Sequence, residues 1–354
     1  MKDFKKGLIY AGVLAFCIGF MAFFYCNSIK KKIPDKLYIY TQDKAVFSMD
    51  IPVVGTVYDS SNNICADNID FGRQVTIQSG DTGQYYVDYK LFGLLPVART
   101  HMEVVDEKYI YSGGFQVGIY LKCNGVYVVN TETICTYDGQ NVVPVSGKIN
   151  KGDYIIKVND NEVSTKEQLS QAVADSEGKS INITVRRDNQ EQSFDVTPVK
   201  NVAGEYKLGI WIRDNAQGVG TMTYIDETGH FGALGHGIND VDTSTLMALQ
   251  KGTLYHTEII GITKGSNGSP GELTGFIEYD DRNILGTITE NTTRGIFGVC
   301  SPDIAGEEQE ALPVGLKQEI EAGPAQIRCS IGGDIENYEV EITDINLGND
   351  NINR

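Results

Sequence analysis

Leu208-Gly209-Ile210-Trp211-Ile212-Arg213-Asp214, Gly218-Val219-Gly220-Thr221-Met222-Thr223-Tyr224 and Gly232-Ala233-Leu234-Gly235-His236-Gly237-Ile238-Asn239-Asp240-Val241-Asp242 are three runs from one continuous stretch. Apolar and β-branched residues recur in short runs, broken by glycine, which is the pattern of strands and tight turns rather than of helices. His236 stands between two glycines. Gly235 and Gly237 remove side-chain bulk on either side of the imidazole, so that a substrate backbone and a hydroxyl nucleophile can come close to it. An imidazole that titrates near neutrality can take a proton from such a hydroxyl and return it to a leaving amine. The same run also suits a histidine in an ordinary turn. Asp240 and Asp242 follow closely, and neither is assigned to orient the ring.

The rest of the chain has the same texture. Thirty-nine glycines in 354 residues, with few long 3.6-residue patterns, predict a mostly β protein with more than one domain. Forty-seven acidic against 30 basic residues give a formal charge of −17, which repels a polyanion, and no nucleic-acid partner is expected. Seven cysteines at wide spacing, with no CxxC pair, suggest core thiols rather than a disulfide framework. Four histidines, His101, His230, His236 and His256, make a poor set for a metal centre, so no metal and no cofactor is expected. His230 and His256 read as ordinary polar groups.

Upstream, Lys151-Gly152-Asp153-Tyr154-Ile155-Ile156-Lys157-Val158-Asn159-Asp160 precedes a predicted helix with Leu169 and Val173 four apart. Ile181–Val185 and Ser193–Thr197 flank a polar turn. With Ser112-Gly113-Gly114-Phe115-Gln116-Val117-Gly118-Ile119 ahead of them, these elements resemble a PDZ domain over residues 108–200. In such a domain a glycine-lined loop turns amides toward a peptide carboxylate, and an open strand edge takes up the peptide as an added strand. Val117, Gly118 and Ile119 are assigned to that loop, with a peptide or a C-terminal segment as ligand. Leu37–Tyr40, Val53–Tyr58 and Gln84–Lys90 predict a small β domain or spacer over residues 27–107.

At the amino terminus, Gly7–Cys26 is twenty residues without a charge. At about 1.5 Å per residue it spans roughly 30 Å, the depth of a bilayer core. The length favours an uncleaved single transmembrane helix over a signal peptide. Lysines on both sides leave the orientation open to the positive-inside rule.

Taken together, the runs around His236, with Gly271-Glu272, Gly295-Ile296-Phe297-Gly298, Ala311-Leu312-Pro313-Val314 and Gly323-Pro324-Ala325, resemble the stage IV sporulation protein B family of serine peptidases. The resemblance implies an anchor, a PDZ domain and, over residues 201–354, a chymotrypsin-like β-barrel peptidase domain, incomplete at its C-terminal end, with His236 as catalytic histidine. It also implies a nucleophile in a Gly-Met-Ser-Gly-Ser-Pro type motif. None occurs up to Arg354, so the chain is expected to be a partial record. A natural end at Arg354 would instead imply a peptide-binding pseudopeptidase. Gly265-Ser266-Asn267-Gly268-Ser269-Pro270-Gly271 contains a Gly-Ser-Pro, but it is expected to be an ordinary turn. The family's role implies a membrane protein whose soluble part is extracytoplasmic. It would cut a membrane-associated partner in the space between the two membranes during endospore formation, as a signalling step.

Overall fold

The computed structural model describes residues 19–345, apart from 22, 43, 48, 50, 270, 307–309 and 331–333. Most of the expected Gly7–Cys26 anchor lies outside these residues. Among the described residues no helix is long and apolar enough to cross a membrane.

The chain divides into two compact units, Met1–Tyr109 with Pro313–Ile327 and Glu339–Arg354, and Ile110–Leu312 with Arg328–Tyr338. The first contains a five-stranded sheet. Its strands are β1 (Lys36–Tyr40), β2 (Val53–Asp59), β3 (Ile64–Asp70), β4 (Gly83–Leu91) and β5 (Leu95–Val105), in the order β1-β5-β4-β2-β3. Only the β1–β5 pair in it is parallel. Alternation of apolar residues along β1, β2 and β4 sends Leu37, Ile39, Val53, Val57, Val87 and Tyr89 into one core with Phe71. The runs Leu37–Tyr40, Val53–Tyr58 and Gln84–Lys90 lie in β1, β2 and β4 of this sheet.

The second unit is organised by two long strands, β6 (Gln116–Thr131, 16 residues) and β10 (Ile210–Asp226, 17 residues), paired antiparallel along most of their length. Their two halves serve different cores. At one end β9 (Gln190–Val196), β8 (Ile181–Arg187), β7 (Tyr154–Val158), β6 and β10 form a sheet in that order, with β10 at its margin. The helix Lys166–Asp175 buries Leu169 and Val173 in its core. Thr165 caps that helix, its hydroxyl accepting the Gln168 N–H (3.2 Å) while the Gln168 amide oxygen accepts the Thr165 N–H (3.2 Å).

At the other end six strands close a ring: β6, β12 (Leu249–Tyr255), β13 (Ile284–Thr292), β14 (Gly295–Cys300), β11 (His230–Ala233), β10 and back to β6. Every pair is antiparallel, and closure leaves the ring without a sheet edge where the pairing is continuous. Its interior holds Val117, Ile119, Leu121, Met222, Phe231, Leu254 and Ile288.

The long strands β6 and β10 run through both the PDZ sheet and the barrel, so residues on either side of 200 share one compact unit. One expectation is corrected here. The thiols are not all buried: Cys123 is, but Cys65 and Cys135 are exposed and Cys26, Cys300 and Cys329 half-buried.

Candidate active site

Val117, Gly118 and Ile119 do not form a peptide loop. They lie inside β6, paired on one side to Gly220, Val219 and Gly218 of β10, while Gly118 and Ile119 pair on the other side with Tyr255 and Leu254 of β12. Val117 and Ile119 point into the barrel core, and a Cβ on Gly118 would meet Ile277 at 2.9 Å. With both edges occupied, the backbone there has no free groups to offer a peptide.

The requirements stated for such a loop are met instead at Tyr206–Ile212. Gly209 takes a left-handed φ of 67°, and its carbonyl accepts the Glu132 N–H at 2.8 Å, which turns the chain into the start of β10. Ile210–Arg213 pair with β6 on one side, and among the described residues no strand pairs their other edge. That edge borders a groove of about 770 Å³ whose walls include Leu169 and Val173 of the helix and Ile134, Leu208, Ile210 and Ile212. A strand edge beside an apolar helix face can accept an extended peptide as an added strand. The signal is present in the sequence as Lys207-Leu208-Gly209-Ile210, a glycine turn leading into a β-branched run, at the head of the segment that resembles the peptidase family.

His236 stands at the exit of β11. Leu234 and Gly235 take φ of 74° and 75°, two left-handed residues in succession, and this reverses the chain and leaves the imidazole exposed. Its Nδ1 lies 3.0 Å from the Gly237 carbonyl oxygen. The ring borders a cleft of about 430 Å³ between Ala216–Val219 of β10 and the Gly237–Val241 segment. Gly235 does open space, since nothing lies within 4 Å of where its Cβ would be. Gly237 is glycine for another reason, because a Cβ there would meet Leu246 at 2.3 Å and the Thr292 carbonyl oxygen at 2.4 Å.

The loop after His236 is fixed from two sides. Asn291 on β13 accepts the Ile238 N–H (2.9 Å) and donates to the carbonyls of Ile238 (3.0 Å) and Met247 (2.9 Å), clamping the base of the loop. At its tip the buried Asp240 carboxylate accepts from Arg213 and from the Asp242 and Thr243 N–H groups, and Arg213 also reaches Asp242 at 2.9 Å. Both aspartates are thus engaged by Arg213, in keeping with neither being assigned to the imidazole. Tyr127 donates to Thr243 (2.7 Å) and Lys151 to the Asp242 carbonyl (3.0 Å), so the PDZ half of the unit braces the same loop.

The remaining sequence candidates are structural. Gly265–Gly271 closes the hairpin of Thr257–Thr263 and Glu272–Ile277, with Ser266 and Ser269 exchanging backbone hydrogen bonds at 2.8 and 2.9 Å. His230 opens β11 just after a turn, its Nδ1 2.7 Å from the Thr228 hydroxyl. His256 is exposed on the barrel. Burial beside the Asp214 and Asp240 carboxylates pushes the Cys123 thiol up to about 12, so it stays a neutral core group.

Comparison with known proteins accords with this arrangement. Residues 204–354 match the family model of the SpoIVB peptidase S55, and residues 103–197 match that of a PDZ domain. Among solved structures, the PDZ domain of the SdrC-like protein from Listeria monocytogenes is 19% identical over 25% of this chain and 87% of its own, at a TM-score of 0.21, a likeness too slight to bear on the fold. No curated protein matches the chain. Residues 103–197 thus carry a PDZ domain and residues 204–354 a segment of the SpoIVB peptidase S55 family, which supports a serine peptidase of that type with a peptide-binding module.

Proposed function

We propose that this protein is a membrane-anchored serine endopeptidase of endospore formation, that Gly7–Cys26 holds it to the bilayer with its soluble part outside the cytoplasm, and that it cuts a membrane-associated partner as a signalling step. His236 is the general base, and the nucleophile comes from the serine motif that the family resemblance implies. The histidine takes the serine proton as the hydroxyl attacks the scissile carbonyl, then passes it to the leaving amine, while backbone amides hold the oxyanion. The observation that carries the reading is the placement of His236. It is exposed on a two-residue left-handed turn at a barrel rim, facing a cleft whose opposite wall is a strand with one edge that no described strand pairs.

In the protein with its serine motif, His236→Ala is expected to lower peptide-bond cleavage by at least about 10³-fold while leaving the far-ultraviolet circular dichroism unchanged. Undiminished cleavage by that variant would remove His236 from the mechanism. The topology has its own test, because Cys65 and Cys135 are exposed. In intact spheroplasts of an expressing bacterium, a membrane-impermeant maleimide is expected to label both, and protection of both until lysis would contradict the extracytoplasmic placement.

A further inference from the structure

The open edge of β10 does not stop at the peptide groove. From Ile210 to Gly220 the strand pairs with β6 on one side, and among the described residues no strand pairs the other; β11 joins only at Met222–Ile225. Ile210 and Ile212 on this strand wall the PDZ groove, and Ala216–Val219 wall the His236 cleft. The two openings are therefore successive stretches of one strand, separated only by Arg213–Asn215. At Gly218 nothing lies within 4 Å of where a Cβ would be, so another backbone can approach there.

Chain direction follows from the turn that precedes the strand. A peptide whose carboxylate sits at Leu208–Ile210, where β10 begins, can extend only along the course of β10, which makes it an antiparallel addition. At about 3.4 Å per residue, the eight steps from Ile210 to Gly218 correspond to roughly 27 Å of peptide. We propose that the substrate is an extended C-terminal tail lying along this whole edge, its carboxylate held in the PDZ groove and the bond about eight to ten residues upstream presented to His236. This rests on the reading of His236 as the catalytic base and deepens it: the groove is a ruler that selects both the substrate class and the cleavage position. The wall opposite the track is set by Arg213, which stands on the track and holds Asp240 and Asp242 of the His236 loop.

The test uses the full chain and three probes: a dodecapeptide of alternating serine and valine with a free carboxylate, its C-terminal pentapeptide, and the dodecapeptide amide. Trp211, the single tryptophan, lies on the groove strand and reports binding by its fluorescence. Both free acids are expected to bind, the longer about ten-fold more tightly. A nitroxide on the ninth residue from the carboxyl end of the dodecapeptide is expected to broaden the His236 ring resonances, with Gly218→Trp abolishing both the broadening and the ten-fold gain but leaving pentapeptide affinity as it was. Equal affinity of the two acids without broadening at His236 would overturn the shared track while leaving the PDZ groove in place. Broadening by the amide as strong as by the acid would show that the cleft fills without the groove, which also overturns the proposal but leaves the catalytic reading intact. Failure of both acids to bind would overturn the groove itself.

Discussion

Between Ala233 and Ile238 single residues decide whether a histidine becomes available for chemistry. Leu234 bears a Cβ in the left-handed region, which costs on the order of 1 kcal/mol, and Gly235 beside it avoids that cost. Gly235→Ala is therefore expected to lower stability by about 1 kcal/mol through backbone strain alone. Gly237→Ala should cost more, about 1–3 kcal/mol, because its Cβ collides with the Thr292 carbonyl and the loop must shift. Urea titration of the two variants checks the order, and a smaller loss at Gly237 would contradict it. Asn291→Ala leaves the Ile238 N–H and the Met247 carbonyl without their side-chain partner, at a cost of about 1–3 kcal/mol. Cys123, buried and with its pKa pushed up to about 12, is expected to resist thiol reagents at pH 8 in the folded protein, whereas Cys65 and Cys135 react.

Among the elements, the hairpin and loop contacts of the PDZ sheet explain a motif that sequence alone could only flag. Asp153 of Lys151-Gly152-Asp153 is 1% exposed and takes a two-pronged bond from Arg187 of β8, Nε and Nη2 each at 2.7 Å, along with the Asn150 N–H at 2.8 Å. The aspartate is there to join the loop before β7 to the end of β8. Arg187→Ala strands a buried carboxylate and is expected to cost about 3 kcal/mol, measurable as a lowered thermal midpoint. Arg187→Lys cannot restore the fork and should recover only part of the loss.

The β10–β11 turn carries a pH dependence. Burial opposes ionisation of Asp226, but hydrogen bonds from Thr228 and His230 outweigh it and hold the carboxyl below its usual range. A depressed folded-state pKa means that its stabilisation is fully present above the unfolded value and is lost as pH falls, from about pH 4 downward. Asp226→Asn should therefore be less stable than the parent at neutral pH, with the difference shrinking below pH 4; a constant difference would refute this origin.

At the scale of the whole molecule, β6 and β10 turn two recognisable domains into one folding unit. A core substitution in the PDZ sheet should propagate to the barrel, because the same two strands contribute Val126, Val128 and Ile212 to one core and Val117, Ile119 and Met222 to the other. Calorimetry of the full chain is expected to show two transitions, one for each compact unit, and Leu169→Ala should lower the whole transition of the 110–312 unit. Separate melting of a PDZ transition and a barrel transition would contradict this.

Local pattern and residue chemistry determined the small β sheet, the helix with Leu169 and Val173, the hairpin after Ile181, the turn at Gly265–Gly271 and the glycine-flanked setting of His236. Each depends on neighbours within a few residues, through alternation, turn chemistry or a glycine flank, and those signals are written in the order of the chain. What only the tertiary structure decided was which glycine-led strand faces a peptide. Val117-Gly118-Ile119 and Leu208-Gly209-Ile210 look alike as text, and both enter long strands. The first has β10 on one edge and β12 on the other, whereas the second has β6 on one edge and, among the described residues, no strand on the other. Edge occupancy is set by partners far away in sequence, such as Tyr255 beside Gly118, so it arises only when the barrel closes.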